Sequence, residues 1–132
     1  YPRNKNSFKS IIKKMKKPCV LYLLADEDIS LDDSIFTDFF DTQKATLKSI
    51  SKLAKLTNSR VLPCMCTYNF ESNNFFFKVF PELDNFPSNN IVEDCFKINS
   101  CLQQQILFDI SQYMWTLRIY KHRPDGSDVY KI

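Results

Sequence analysis

Residues 19–40 read CVLYLLADEDISLDDSIFTDFF, and this stretch decides the fold expected for the chain. Its first seven residues are all apolar, and acids follow at Asp26, Glu27 and Asp28. Seven apolar residues are too few for a free-standing helix or a membrane span, and they are typical of a strand buried on both faces in a parallel sheet. In open α/β sheets, ligands bind just past the carboxyl ends of such strands. Asp26 and Asp28 are therefore candidate site residues; the alternative is that they only cap a turn.

The length and composition indicate one globular domain over residues 1–132. The chain is 44% hydrophobic and 14% aromatic, which excludes a disordered protein. The sequence contains no signal peptide and no apolar run of membrane-spanning length. It begins with Tyr1 and not with Met, so we expect a fragment or a processed product.

The cysteines do not form a metal-binding pattern. There are five, an odd number, and none belongs to a CxxC pair; they are Cys19, Cys64, Cys66, Cys95 and Cys101. A zinc site would need Cys64 and Cys66 to recruit His122 or another cysteine. We expect reduced, buried cysteines, with no metal and no cofactor.

The first 17 residues are basic and contain no acid. Their apolar side chains recur at helical spacing on one face, at Phe8, Ile11, Ile12 and Met15. This pattern predicts a short basic amphipathic helix with Ser7 as N-cap and Pro18 as its stop. One interpretation is a helix packed on a sheet with a solvated lysine face. The other is a surface that binds phosphates of anionic lipids or nucleic acid.

The remaining pattern predicts alternating strands and helices. A short strand or extended loop over 34–40 is followed by a helix from Asp41 or Thr42 through about Thr57, ended by a left-handed Asn58. In that helix, we expect an outward lysine face of Lys44, Lys48, Lys52 and Lys55, opposite core residues Leu47, Ile50, Leu53 and Ala54.

Two strands and a long helix come next. We expect strands over 60–67 and 75–80, joined by a turn at 71–74, and Pro63 indicates an edge or a bulge. The longest helix is predicted over 91 to about 110, with Ile91, Cys95, Ile98, Leu102 and Ile106 on one stripe. The order of elements predicts an α/β domain with a mixed, partly parallel sheet flanked by helices.

Familiar catalytic motifs are missing from the 132 residues. There is no Gly-rich phosphate loop, no GxSxG and no HExxH. The sole histidine, His122, has Ser127 and not an acid five residues on. As a general base it would need an orienting carboxylate from elsewhere, so we expect a surface histidine.

The tail of the chain carries a resemblance to a known family. Residues 112–126 read QYMWTLRIYKHRPDG, which resembles the E-Q-Y-x-W-x-H-R-R-F-K-x-R-P-x-G signature of the lipid A biosynthesis acyltransferases, the late lauroyl and myristoyl transferases. Upstream segments resemble that family in the same order, namely YPRNKN (1–6), IIKKMKK (11–17), VLYLLADED (20–28), IFTDFFDTQKAT (35–46) and RVLP (60–63).

The chain also departs from the family pattern. Where the family has glycine, this chain has Ser30 and Asp41, and where the family has proline, it has Asp38. In the tail, Leu117 occupies the position of a family histidine, and Ile119 that of a family arginine. The family's catalytic H-x4-D/E pair is expected ahead of Tyr1, and the 132 residues contain no such pair. No catalytic residue is therefore assigned here.

The resemblance implies a fold and a function. The fold would be the C-terminal portion of a glycerolipid-acyltransferase-like domain. The function would be transfer of a fatty acyl group from acyl-carrier protein to a hydroxyacyl chain of a Kdo-bearing lipid A precursor. The place would be the cytoplasmic face of the bacterial inner membrane, with peripheral contact to anionic lipid and no nucleic-acid partner.

Both substrates are anionic, so basic residues are the candidate substrate contacts. We expect Arg118, Lys121 and Arg123 to bind anionic groups, with Arg3 as a weaker candidate, and Asp26 and Asp28 to shape the site. Alternatively, Arg123 and Tyr113 only pin the C-terminus to the sheet. The competing functions are a basic module that binds anionic membrane or nucleic acid, and a catalytically inactive remnant.

Overall fold

The structure, a computed structural model, describes residues 5–131, apart from the side chain of Lys5. Its elements in chain order are α1 (Lys5–Met15), β1 (Ser34–Phe39), β2 (Thr42–Leu47), α2 (Ser49–Thr57), β3 (Cys64–Asn69), β4 (Asn74–Val79), α3 (Ile91–Phe108) and a short 3-10 helix (Ile110–Gln112). Two antiparallel hairpins, β1–β2 and β3–β4, form separate two-stranded sheets. The α/β class is confirmed. The partly parallel sheet is not formed, since both strand pairs between residues 5 and 131 are antiparallel.

The apolar run over residues 19–25 is not a buried strand, and that prediction is wrong. The run belongs to no helix or strand, and Val20 and Tyr22 are 97% and 65% exposed. A strand buried on both faces needs neighbours at its edges and above and below it. Residues 5–131 do not supply that full set of neighbours.

The first hairpin replaces half of a predicted helix. Phe39 pairs with Thr42, so the chain reverses through Phe40 and Asp41, and Phe40 adopts a left-handed φ of 51°. The prediction of a helix from residue 41 or 42 is wrong up to residue 48. Lys44, expected to face solvent, is fully buried in β2.

The second half of that helix is confirmed as α2. Ile50, Leu53 and Ala54 are buried, while Lys52 and Lys55 are exposed. Asn58 ends α2 in the left-handed conformation, and its backbone N–H donates to the carbonyl of Ala54. This is the C-cap that the sequence predicts, because asparagine tolerates that conformation.

The second hairpin is confirmed with a later start. Its first strand begins at Cys64 and not at residue 60, directly after Pro63. The backbone N–H of Phe80 donates to the Pro63 carbonyl at 2.9 Å, so the pairing extends one step beyond the regular strands. Every residue of β4 is exposed.

Helix α3 lies against the first hairpin and carries much of the core. Its N-cap is Asn90, whose side-chain Oδ1 accepts hydrogen bonds from the backbone N–H groups of Val92 and Glu93. A buried amide, Asn99, joins α3 to the hairpin: Nδ2 donates to Thr37 Oγ1 at 2.8 Å and Oδ1 accepts from Thr46 Oγ1 at 2.9 Å. The predicted stripe is confirmed at its centre, where Cys95, Ile98 and Ile106 are buried.

Helix α1 is confirmed with different ends. It begins by Lys5, so Ser7 lies inside the helix and is not its N-cap. It ends at Met15, before Pro18, as expected. The apolar face is half-buried and contacts α2, and Lys9 and Lys13 on the basic face are exposed.

All five cysteines are free. Cys95 is buried, and Cys64 and Cys101 are half-buried. The expectation of buried cysteines is wrong for Cys19 and Cys66, which are exposed.

Candidate functional site

The C-terminal tail, residues 113–123, folds back over the acidic turn, residues 26–28, and over the first hairpin. Ile119 of the tail joins Phe39 of β1 and Ile106 of α3 in one buried cluster, and Tyr113 and Tyr120 of the tail pack against it. Burial of these aromatic and aliphatic groups holds the tail in place, because each contributes roughly 1.5–3 kcal/mol when fully removed from water. The tail and the acidic turn therefore form one site from two distant parts of the sequence.

Asp28 makes the most direct connection between them. Its Oδ2 accepts the backbone N–H of His122 at 2.7 Å, and its Oδ1 lies 2.6 Å from His122 Nδ1. The Asp28 side chain is fully buried, and that of His122 is 25% exposed. His122 is thus not a free surface histidine; it has the orienting carboxylate that the sequence did not reveal. Nε2 of the ring has no hydrogen-bond partner within residues 5–131.

Asp26 makes a second connection, to Tyr113. The phenol hydroxyl donates to Asp26 Oδ2 at 3.1 Å. Burial raises the pKa of Tyr113, and the nearby Asp26 carboxylate raises it further. The phenol therefore stays protonated and remains a donor to Asp26.

Arg123 is used within the fold. Its Nη1 donates to the Gln43 carbonyl at 3.1 Å and its Nη2 to Thr42 Oγ1 at 2.6 Å. The guanidinium also lies over the Tyr120 ring, 5.6 Å from its centroid. These contacts hold the end of the tail on β2 and favour the pinning role for this arginine.

Two other predicted cations border a small cleft. This cleft, of about 190 Å³, lies between the acidic turn and the tail and is lined by Glu27, Asp28, Ile29, Leu117, Arg118, Ile119 and Lys121. Arg118 and Lys121 are exposed, and the Arg118 guanidinium lies 5.7 Å from the Tyr130 ring centroid. Neither Arg118 nor Lys121 forms an ion pair with another residue between 5 and 131, and Glu27 and Asp28 are the acids on the cleft lining. Arg3 lies outside the described residues.

A buried lysine lies close to the acidic turn, at a position where the sequence predicts an exposed one. Lys44 Nζ donates to its neighbour's carbonyl, that of Ala45, at 3.4 Å and lies 6.0 Å from the Phe39 ring centroid. Burial lowers the pKa of Lys44, and the negative charges of Asp28 and Asp26 partly offset this. No local signal marks the residue, because its spacing from the other lysines fits a helix surface.

A large apolar groove of about 750 Å³ adjoins the site. Its walls are residues 19–26 and 59–65, and its floor includes apolar side chains of α2 and α3. Asp26 and Tyr113 lie on its lining, so the groove reaches the polar site. Burial raises the pKa of the Cys64 thiol on its wall and of the Cys101 thiol on its floor.

Neither a metal centre nor a membrane span occurs in the described part of the chain. Residues 5–131 hold no group of three or more His, Cys, Asp or Glu side chains placed to bind a metal ion. None of their helices combines the length and the apolar character needed to cross a bilayer.

Comparison with known proteins identifies the family. The family model described as bacterial lipid A biosynthesis acyltransferase matches residues 1–122, which include the acidic turn, Arg118 and Lys121. The chain belongs to this family. The match ends one residue before Arg123.

Individual relatives agree with the family assignment. A lipid A biosynthesis acyltransferase of Haemophilus influenzae is 32% identical over 129 residues, covering 95% of this chain and 39% of the relative. The lipid A biosynthesis myristoyltransferase of Escherichia coli is 30% identical over 109 residues, or 80% of this chain and 32% of the relative. The lauroyltransferase of the same organism is 24% identical over 124 residues, or 93% and 40%. The chain thus spans between about a third and two fifths of the length of these relatives.

Proposed function

We propose that this chain is part of an acyltransferase that moves a fatty acyl group from acyl-carrier protein to a hydroxyacyl chain of a Kdo-bearing lipid A precursor. One observation carries the proposal: the family match extends into the tail as far as His122, the residue that Asp28 of the acidic turn binds. The acyl donor and the acceptor are inferred from the family whose signature residues 112–126 resemble.

In this proposal, the cleft between tail and acidic turn binds an anionic group. Arg118 and Lys121 supply the positive charge, and phosphate or carboxylate groups of the lipid precursor are the ligands. Asp26 and Asp28 hold the tail so that both cations stay at the cleft. Arg123 acts on the site by fixing the tail to β2 and does not contact substrate.

The reaction itself needs a base and a thioester. The acceptor hydroxyl loses its proton to a base as its oxygen attacks the acyl carbonyl, and the pantetheine thiol leaves. The family's H-x4-D/E pair supplies this base and its orienting acid in our proposal. The 132 residues contain no such pair, so their contribution is binding and positioning.

We further propose that the protein works at the cytoplasmic face of the inner membrane and contacts anionic lipid through α1. The amphipathic character of α1 supports this proposal, because the helix has a half-buried apolar face and exposed lysines, among them Lys9 and Lys13. Such a helix gains affinity from both apolar burial and attraction to anionic lipids. Binding to vesicles with anionic lipid should weaken as salt rises and should weaken further in Lys9→Gln/Lys13→Gln.

The test is an acyl-transfer assay on the native gene product with acyl-acyl-carrier protein and a Kdo-bearing lipid A precursor. We expect the mass of the lipid to increase by one acyl group. Absence of transfer, together with binding to any anionic vesicle or to DNA that falls steeply with salt, would favour the basic module. Absence of both would favour the inactive remnant.

A further inference from the structure

A C-terminal loop, residues 124–131, folds back onto the tail. Two turns shape it: the Asp125 carboxylate accepts the backbone N–H of Ser127 at 3.0 Å, and the Asp128 carboxylate accepts that of Tyr130 at 3.0 Å. Aspartate side chains close turns in this way because they accept from the backbone two residues further on. The loop residues before Tyr130 are exposed, whereas Tyr130 is half-buried. Burial therefore singles out Tyr130 within the loop.

Tyr130 contacts the tail at two points. Its hydroxyl oxygen accepts the backbone N–H of Tyr120 at 3.1 Å. Its ring lies against the guanidinium of Arg118, with 5.7 Å between the ring centroid and Cζ. Tyr120 follows Arg118 by two residues, so the hydrogen bond fixes the ring relative to the backbone that carries the arginine. The fold thus holds the ring and the guanidinium together.

This contact suits a cation that binds a ligand. Arg118 lines the cleft and forms no ion pair with any residue between 5 and 131. An aromatic ring attracts a guanidinium through its electron-rich face and, unlike a carboxylate, does not neutralise the charge. A free arginine side chain loses rotamer freedom when it binds a ligand, and this loss weakens binding. A ring that already restrains the guanidinium reduces the loss.

We propose that Tyr130 is a positioning residue, whose ring holds the Arg118 guanidinium at the cleft in place to bind the anionic group of the lipid precursor. The inference rests on the proposed function, because it takes the role of Arg118 from there. Tyr130 is not part of the cleft lining, so it acts through Arg118. The family model matches residues 1–122, so Tyr130 lies outside the segment that defines the family.

The KM for the lipid precursor, measured with the native gene product, tests the proposal. Tyr130→Leu removes the ring, and we expect KM to rise about two- to fivefold at unchanged kcat, the effect of losing an exposed cation–ring contact. In the Arg118→Gln background, Tyr130→Leu should leave KM unchanged, because the ring has no cation to hold. Val129→Ala is the matched control: Val129 is an exposed neighbour in the same loop, and its replacement should not change KM.

The pattern of effects separates the positioning role from the proposed function. If Arg118→Gln raises KM and Tyr130→Leu does not, the positioning role is wrong and the anionic site stands. An equal rise for Tyr130→Leu in both backgrounds would show a general effect of the loop on the fold and would also overturn the role. If Arg118→Gln leaves KM unchanged, the anionic site and the positioning role both fail.

A second variant separates the ring of Tyr130 from its hydroxyl. Tyr130→Phe keeps the ring and removes only the hydrogen bond to Tyr120, so we expect KM to stay within about twofold of the native value. This variant decides the question even if Tyr130→Leu does not fold. A rise of about fivefold or more in Tyr130→Phe would show that the ring is not what holds Arg118, and would overturn the proposal.

Discussion

Asp28 binds both the backbone and the ring of His122, 94 residues away, and so joins the acidic turn to the C-terminal tail. The carboxylate is fully buried, so its two contacts replace the water it lost. The contact fixes one edge of the cleft that Arg118 and Lys121 border. Together with the Asp26–Tyr113 contact and the Arg123 contacts to β2, it places both cations near the acidic turn.

Replacing Asp28 by Ala should destabilise the protein by about 2–3 kcal/mol, because a buried N–H and a ring nitrogen lose their shared partner. Urea unfolding measures the change in free energy. Asp32→Ala is the control. Asp32 is exposed, and only its backbone carbonyl accepts a hydrogen bond, from Lys48 Nζ. Equal effects of the two substitutions would show that the His122 contact does not hold the tail.

Lys44→Met should raise the free energy of unfolding near pH 7, because burial opposes the lysine charge. Since the pKa of Lys44 in the folded chain lies below 10.5, the unfolded chain binds more protons between the two pKa values. The lysine's contribution to stability therefore rises with pH in that window. The advantage of Lys44→Met should shrink as the pH approaches 10.5. Urea unfolding of both proteins at several pH values checks this, and a constant difference would contradict it.

Cys95 should resist alkylation in the folded protein at pH 8. Burial raises its pKa to about 11, so only about 0.1% is thiolate at that pH. Cys19 and Cys66 are exposed and should be modified first. Peptide mass spectrometry after treatment with iodoacetamide reports each site. Early labelling of Cys95 without denaturant would show that α3 does not cover it.

Arg123→Ala should lower the melting temperature, because the guanidinium loses its two hydrogen bonds to β2, together worth about 1–3 kcal/mol. Arg118→Ala, which removes an exposed cation of the same tail, should leave the melting temperature nearly unchanged. If Arg123→Ala abolished acyl transfer with no change in melting, the arginine would contact substrate and the pinning role would be wrong.

The sequence predicted elements whose signal is local. The stripe at 91–106 and the cap at Asn58 are set by neighbouring residues, and α3 and α2 confirm them. The lysines at 44, 48, 52 and 55 fit helical spacing equally well, yet the reversal at Phe40 places the first of them in a strand. Tertiary pairing with β1 overrides the local pattern there.

The candidate site depends on contacts that no local pattern contains. The sequence pattern marks Asp26 and Asp28 as candidate site residues. Their partners, Tyr113 and His122, lie 87 and 94 residues further along the chain, so no local pattern predicts the contacts. The apolar run at 19–25 was expected to be buried from its composition alone. Its burial depends on neighbouring strands, and composition does not show where those strands come from.

We propose above all that the cleft bordered by Arg118 and Lys121 binds an anionic group of the lipid substrate. The most direct test is the KM for the lipid precursor in native gene product that carries Arg118→Gln/Lys121→Gln, beside the control Lys52→Gln/Lys55→Gln on the exposed face of α2. We predict a rise of about tenfold or more for the first pair, since a hydrogen bond to a charged group contributes about 1.5–3 kcal/mol, and a change within about twofold for the second. Equal KM values for the two double variants would contradict the claim.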